Sequence, residues 1–253
     1  MSDPDLISVT DLISGTTFAE ASLSIDTTKN LADDPVFILS GTADTVVEQG
    51  VGKKLVDYYS HYLSSSSQIQ TKFDLAAEHS MPTVSYGNPC SFLGSPYISS
   101  CNFDTAGAIL NHMYSGLNPA GSYNNASLHE IDQTAYGSVS LASMDSVGYI
   151  YRPAACASSP SSCHVHVFLH GCSQTREEIS AQLVLHGGFL EWAETNNLAI
   201  LFPFAVKSTL NPKGCWDWWG YTGADYATKI GAQTSSIKRM ADALQDGSIK
   251  VIV

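Results

Sequence analysis

Charge is scarce in this 253-residue chain: Asp, Glu, Lys and Arg make up only 14% of it, against about 25% in an average soluble protein. Basic residues are scarcest, 12 against 24 acidic ones, for a formal net charge of −12. Such a balance disfavours nucleic acid and anionic lipid, so neither is expected as a partner. No apolar run approaches about 18 residues, so no transmembrane helix is expected. The start, Met1-Ser2-Asp3-Pro4-Asp5, is polar and acidic and does not read as a signal peptide. No internal repeat is evident.

Apolar residues are plentiful, at 44% of the chain with 10% aromatic. The length suits a single α/β domain over residues 1–253 with a sizeable core. Six cysteines, Cys90, Cys101, Cys156, Cys163, Cys172 and Cys215, form an even set partly in close pairs. That pattern fits disulfides and an extracellular or secretory compartment. Cys90–Cys101, Cys156–Cys163 and Cys172–Cys215 is the natural pairing, one of about 15 possible connectivities; reduced, buried cysteines are the alternative. Asn125-Ala126-Ser127 is a sequon that permits glycosylation in that compartment.

Hydrophobic patterning alternates between the two periods. Strands are expected at 7–10, 35–41, 69–75, 164–169 and 198–203, with edge hairpin strands within 138–152 and a last strand at 248–253. Helices are expected at 46–63, 105–115, 179–196 and 225–244. Strands alternating with helices predict a doubly wound, mostly parallel sheet.

Several of these strands end in residues with chemical potential. Asp44 follows the strand at 36–39, and His79 follows the next one, where a doubly wound fold places its site. A carboxylate there can orient an imidazole and stabilise the imidazolium. Val167-Phe168-Leu169-His170-Gly171-Cys172-Ser173-Gln174 reads as a buried strand ending in a tight turn, whose free N–H groups can face a developing oxyanion. Trp216, Trp218, Trp219 and Tyr221 crowd four aromatics into six residues and suit a cleft gripping an ester-bearing chain. Core packing of the loop is the plainer explanation for part of that cluster. His164, His166 and His170 share a strand face. That face feeds a turn and is expected under helices, so no metal is assigned.

A nucleophile is harder to find. No Gly-x-Ser-x-Gly occurs, the pentapeptide that sets a serine on a strained strand-to-helix turn. The nearest stretch is Asp11-Leu12-Ile13-Ser14-Gly15, with Ile13 in the serine's place and Ser14 one residue late. Only 31 residues separate Ile13 from Asp44, about the length of one βαβ unit. A strand and a helix are therefore expected to be missing near the N-terminus, leaving 1–34 as a degenerate elbow region before a body at 35–253.

Taken together, these motifs resemble the circularly permuted, fungal-type secreted α/β-hydrolases that depolymerise poly(3-hydroxybutyrate). The matching segments are 35–45, the loop around His79, 96–107, 148–153, 165–174, 188–203 and 211–221. Leu169-His170-Gly171-Cys172 and Gly214-Cys215-Trp216-Asp217-Trp218 are the most specific. The resemblance implies Asp44 and His79 as triad acid and base. It implies the Cys172 and Ser14 N–H groups as oxyanion donors, with Ser14 the stand-in nucleophile. It implies Trp216, Trp218 and Tyr221 as substrate contacts, a polyester or small ester as substrate, no cofactor and a monomer. With the elbow degenerate, activity is expected to be impaired. A catalytically inactive protein that binds polyester or another ligand is the second expectation.

Overall fold

Residues 3–252 are described by a computed structural model, which divides into two units, Met1–Gly116 and Leu117–Val253. In the first unit, helix α1 (Val9–Ala21) begins where the Ser8 hydroxyl accepts the Asp11 N–H at 3.2 Å. Ser-x-x-Asp ahead of an apolar stretch is a helix-start signal. Four alternating residues do not outweigh it, and the strand expected at 7–10 does not form. No α1 side chain is buried, and Phe18 faces water.

Strand β1 (Val36–Leu39) pairs in parallel with β2 (Ile69–Lys72), with helix α2 (Gln49–Ser60) between them in sequence. β1 ends at Gly41, where a Cβ would lie 2.0 Å from the Ala77 carbonyl oxygen, so only glycine lets these backbones meet. A second parallel set follows, in the order β3 (Met81–Thr83), β5 (Ile98–Ser100), β4 (Asn88–Pro89). Cys90–Cys101 closes its excursion. Helix α3 (Thr105–Met113), capped by Asp104 on the Gly107 N–H, ends the unit.

The second unit is built on a four-stranded sheet in the order β6 (Leu128–Asp132), β7 (Val147–Tyr151), β9 (Leu198–Phe202), β8 (His164–Val167). β6–β7 and β7–β9 are antiparallel and β8–β9 is parallel. All five residues of β9 are buried, as an unbroken apolar run between two partners should be. The short helices α4 (Val139–Ala142), α5 (Ala154–Ser158), α6 (Arg176–Ile179), α7 (Gln182–His186) and α8 (Phe189–Thr195) connect the strands. Helix α9 (Ala232–Asp246) stops at Gly247, φ +82°, the left-handed C-cap that glycine supplies most easily. Ile131, Ile150, Leu201, Met240 and Leu244 form the centre of the core.

The α/β class and the parallel-rich strand sets agree with the sequence reading. The details differ in places. The 138–152 segment is a helix and one strand, and that strand pairs with β6, which the pattern did not reveal. The long helix starts at residue 232, because 222–231 are turns. The strand expected at 248–253 reduces to a bridge between Ile131 and Val251, and Val253 lies outside the described residues. Between Ile13 and Asp44 stand only the rest of α1, a short 3-10 turn and β1. All three disulfides pair as expected. Among the described residues, no helix is long and apolar enough to cross a membrane.

Candidate active site

In the first unit the loop after β1 and the loop before β3 converge. Asp44 Oδ1 accepts the Val46 and Val47 N–H groups at 2.9 and 2.8 Å, and its Oδ2 lies 2.9 Å from His79 Nδ1. The carboxylate is thus held by its own turn and faces the imidazole with its remaining oxygen. Asp44 is largely covered, with 10% of its side chain exposed against 49% for His79. A carboxylate can only accept, so the Nδ1 that meets it carries the proton, which turns the lone pair of a neutral ring out through Nε2. Among the described residues, nothing hydrogen-bonds His79 Nε2.

Beside the pair lies a cavity of about 620 Å³. Its walls include Ile38, Leu39, Val51, Leu55 and Tyr58, with Asp44, Glu78 and His79 also lining it. Glu78 is buried, and its carboxylate accepts the Thr45 N–H, the Thr45 hydroxyl and the His79 N–H. Burial pushes its pKa up, but the bonds from Thr45 and His79 outweigh that and leave it below the ordinary glutamate value. The pattern of the sequence did not single it out, since its bonding partner Thr45 lies 33 residues away.

Ser14 is not part of this assembly. It sits inside α1 with its hydroxyl donating to the Thr10 carbonyl at 2.9 Å, and it does not line the cavity, whereas Leu12 and Thr16 do. The strained turn expected of an elbow is replaced by regular helix. Its N–H, in mid-helix, is committed to the helical ladder rather than free for an oxyanion. All six cysteines are in disulfides, so no thiol can take the serine's place.

The second unit holds the other sequence-predicted residues. The turn after β8 is built by its own polar groups. The Gln174 side chain accepts the Gly171 N–H, the Ser173 N–H donates to the Lys213 carbonyl, and His170 is buried with Nδ1 on the Gly171 carbonyl and Nε2 accepting from the Ala205 N–H. Both His170 nitrogens are satisfied, and burial lowers its pKa, so it stays neutral. Cys172 is exposed, and no carbonyl among the described residues accepts its N–H.

The Cys172–Cys215 disulfide joins this turn to the aromatic loop. Gly214, at φ +58°, passes so close to Thr175 that a Cβ would lie 2.1 Å from its methyl group. Asn211, fully buried, staples the loop by both accepting the Cys215 N–H and donating to the Cys215 carbonyl. Asp217 gathers the N–H groups of Trp219, Gly220, Tyr221 and Thr222 and the Thr222 hydroxyl. Burial raises its pKa, and these hydrogen bonds more than offset that and lower it.

This scaffold sorts the aromatics. Trp218 and Trp219 are 63% and 42% exposed and stand edge to face at 5.2 Å. Trp216 packs inward on His170 and the core, and Tyr221 donates its hydroxyl to the Cys215 carbonyl. Of the three aromatics expected to touch substrate, only Trp218 presents its ring freely. Trp219 joins it, and Trp216 and Tyr221 hold the loop.

The sequence matches no family profile. A solved PHB depolymerase from Penicillium funiculosum superposes with a TM-score of 0.84 at 31% identity, covering 94% of this chain and 77% of the other. The chain belongs to the poly(3-hydroxybutyrate) depolymerase family. A PHB depolymerase with a serine-to-alanine substitution, complexed with an R3HB trimer, superposes at 0.83 and 32% identity, over 88% of this chain and 74% of that one. Among curated relatives, the poly(3-hydroxybutyrate) depolymerase of Delftia acidovorans is 40% identical over 254 residues, 98% of this chain and 50% of its own length. The polyhydroxybutyrate depolymerase of Talaromyces funiculosus is 34% identical over 224 residues, 82% of this chain and 65% of its own length. The chain therefore spans about half to two thirds of the curated relatives it matches.

Proposed function

We propose that this chain carries the acid, the base and the polymer-gripping loop of an extracellular serine esterase acting on poly(3-hydroxybutyrate) or a related polyester. In that reaction a serine hydroxyl attacks the ester carbonyl as its proton passes to His79 Nε2. Asp44 stabilises the imidazolium, His79 passes the proton to the departing alkoxide oxygen, and water, activated by His79 in turn, hydrolyses the acyl-serine to release the acid. For the second unit by itself, the proposed roles are the Cys172 N–H as an oxyanion donor and Trp218 and Trp219 as the grip on polymer. The observation that carries the reading is the Asp44–His79 pair, bonded at 2.9 Å with Nε2 left open, in a member of a family whose relatives are named for this activity.

No hydroxyl among the described residues lies on that open nitrogen. We therefore assign the chain on its own to binding polyester, with ester hydrolysis absent or weak. Two measurements on the purified chain test this. A fluorophosphonate probe followed by peptide mapping is expected to label no serine. Sedimentation with polyhydroxybutyrate granules is expected to carry the chain down, and Trp218→Ala/Trp219→Ala to release it. Labelling that vanishes with His79→Ala overturns the inactive reading. Granule binding indifferent to both tryptophans overturns the assignment of the loop.

A further inference from the structure

The base of the proposed pair is not held by bulk. His79 is half-exposed, and packing alone does not fix its ring. What fixes the pair is the backbone on either side, and one side chain reaches both. Glu78 Oε1 accepts the Thr45 hydroxyl at 2.6 Å, and Oε2 accepts the Thr45 N–H at 3.2 Å and the His79 N–H at 2.7 Å. Thr45 is the residue after Asp44, and His79 is the residue after Glu78. One buried carboxylate therefore ties down the chain next to the acid and the backbone of the base itself.

Glu78 is in turn anchored by its main chain, with its N–H on the Cys90 carbonyl and its carbonyl accepting the Ser80 hydroxyl. Cys90 is disulfide-bonded to Cys101, so the clasp is connected to a covalently closed loop. We infer that Glu78 is a positioning residue for the Asp44–His79 pair, clasping the acid loop to the base loop. The inference rests on the reading of that pair as a catalytic acid and base. A displacement of about 1 Å in such a pair is enough to cost on the order of a hundredfold in rate.

The test reads the imidazole directly, because the chain alone is not expected to turn over. The 15N shifts of the neutral His79 ring, identified by their loss in His79→Gln, report which nitrogen carries the proton. The unmodified chain is expected to hold it on Nδ1, and Asp44→Ala to move it to Nε2. Glu78→Ala is expected to lose the Nδ1–H signature while the protein still melts cooperatively. Glu78→Gln is expected to restore it: the amide oxygen can accept both N–H groups, and its NH2 can donate to the Thr45 hydroxyl. Should Glu78→Ala fail to melt cooperatively, Thr45→Val, which removes only the hydroxyl donor, is expected to shift the ring part of the way. An unchanged signature in a folded Glu78→Ala chain, or in Thr45→Val, overturns the inference. An unmodified chain without Nδ1–H, insensitive to Asp44→Ala, refutes the pair itself, and the inference falls with it.

Discussion

Replacing Asp217 with alanine removes the acceptor around which the aromatic loop is wound. Its two oxygens take five donors from residues 219–222, at 2.6 to 3.1 Å. A hydrogen bond to a charged group contributes about 1.5–3 kcal/mol net. A simple sum overshoots, because Trp219 is exposed and water can reach much of this loop. A loss of about 2–4 kcal/mol, confined to the loop, is the expected size. It corresponds to amide exchange at 219–222 faster by about 30- to 1000-fold, with core amides on β9 unaffected. Granule binding should fall with it. Asp217→Asn keeps one acceptor oxygen and should show about half the free-energy effect. The carboxyl pKa is lowered in the folded chain, so its contribution is full above the unfolded carboxylate range. It is lost as pH falls through the lower folded value, which means that loop protection holds from neutral pH down to about 4 and fails below. If exchange at 219–222 changes by less than about threefold in Asp217→Ala, the loop is not organised by this carboxylate.

Two further outcomes are expected. Cys172→Ser/Cys215→Ser opens a 43-residue closure and should lower unfolding stability by at most about 4 kcal/mol, read from guanidinium titrations; an unchanged midpoint contradicts it. His166 stacks on Phe189, and burial depresses its pKa from 6.5 to about 4. Between those values the unfolded chain binds the extra proton, so stability should fall as pH drops from 6.5 to 4, by on the order of 3 kcal/mol. Urea midpoints at pH 7.5 and 5 measure the slope, which His166→Leu should flatten.

The parts of the fold legible in the sequence are those whose pattern is local and unopposed. β1 and β9 are unbroken apolar runs stopped by Gly41 and Pro203, and Asp44 and His79 are conspicuous because each follows a strand. The 7–10 segment misleads because four alternating residues fit a strand as well as the start of a helix. The Ser8–Asp11 cap decides it. Glu78 is inconspicuous in the sequence because its importance comes from Thr45, brought to it only by the pairing of β1 and β2. The aromatic loop divides by packing: four rings in six residues say nothing about which two turn inward on His170 and the Cys215 carbonyl. The tail of the chain pairs through a single bridge at Val251 because β6 reaches it from more than a hundred residues away.

The close approach of Gly41 to Ala77 bears on how this site could vary. Even alanine at position 41 would place a methyl carbon 2.0 Å from a main-chain oxygen, and that oxygen belongs to the residue before Glu78. The smallest possible substitution would therefore lever the acid loop off the base loop, while touching neither Asp44 nor His79. Searches for altered activity that vary the apolar wall at Val51, Leu55 and Tyr58 leave the Gly41–Ala77 contact in place. A library that includes position 41 would instead return proteins that keep every chemically active group and have lost the distance between them.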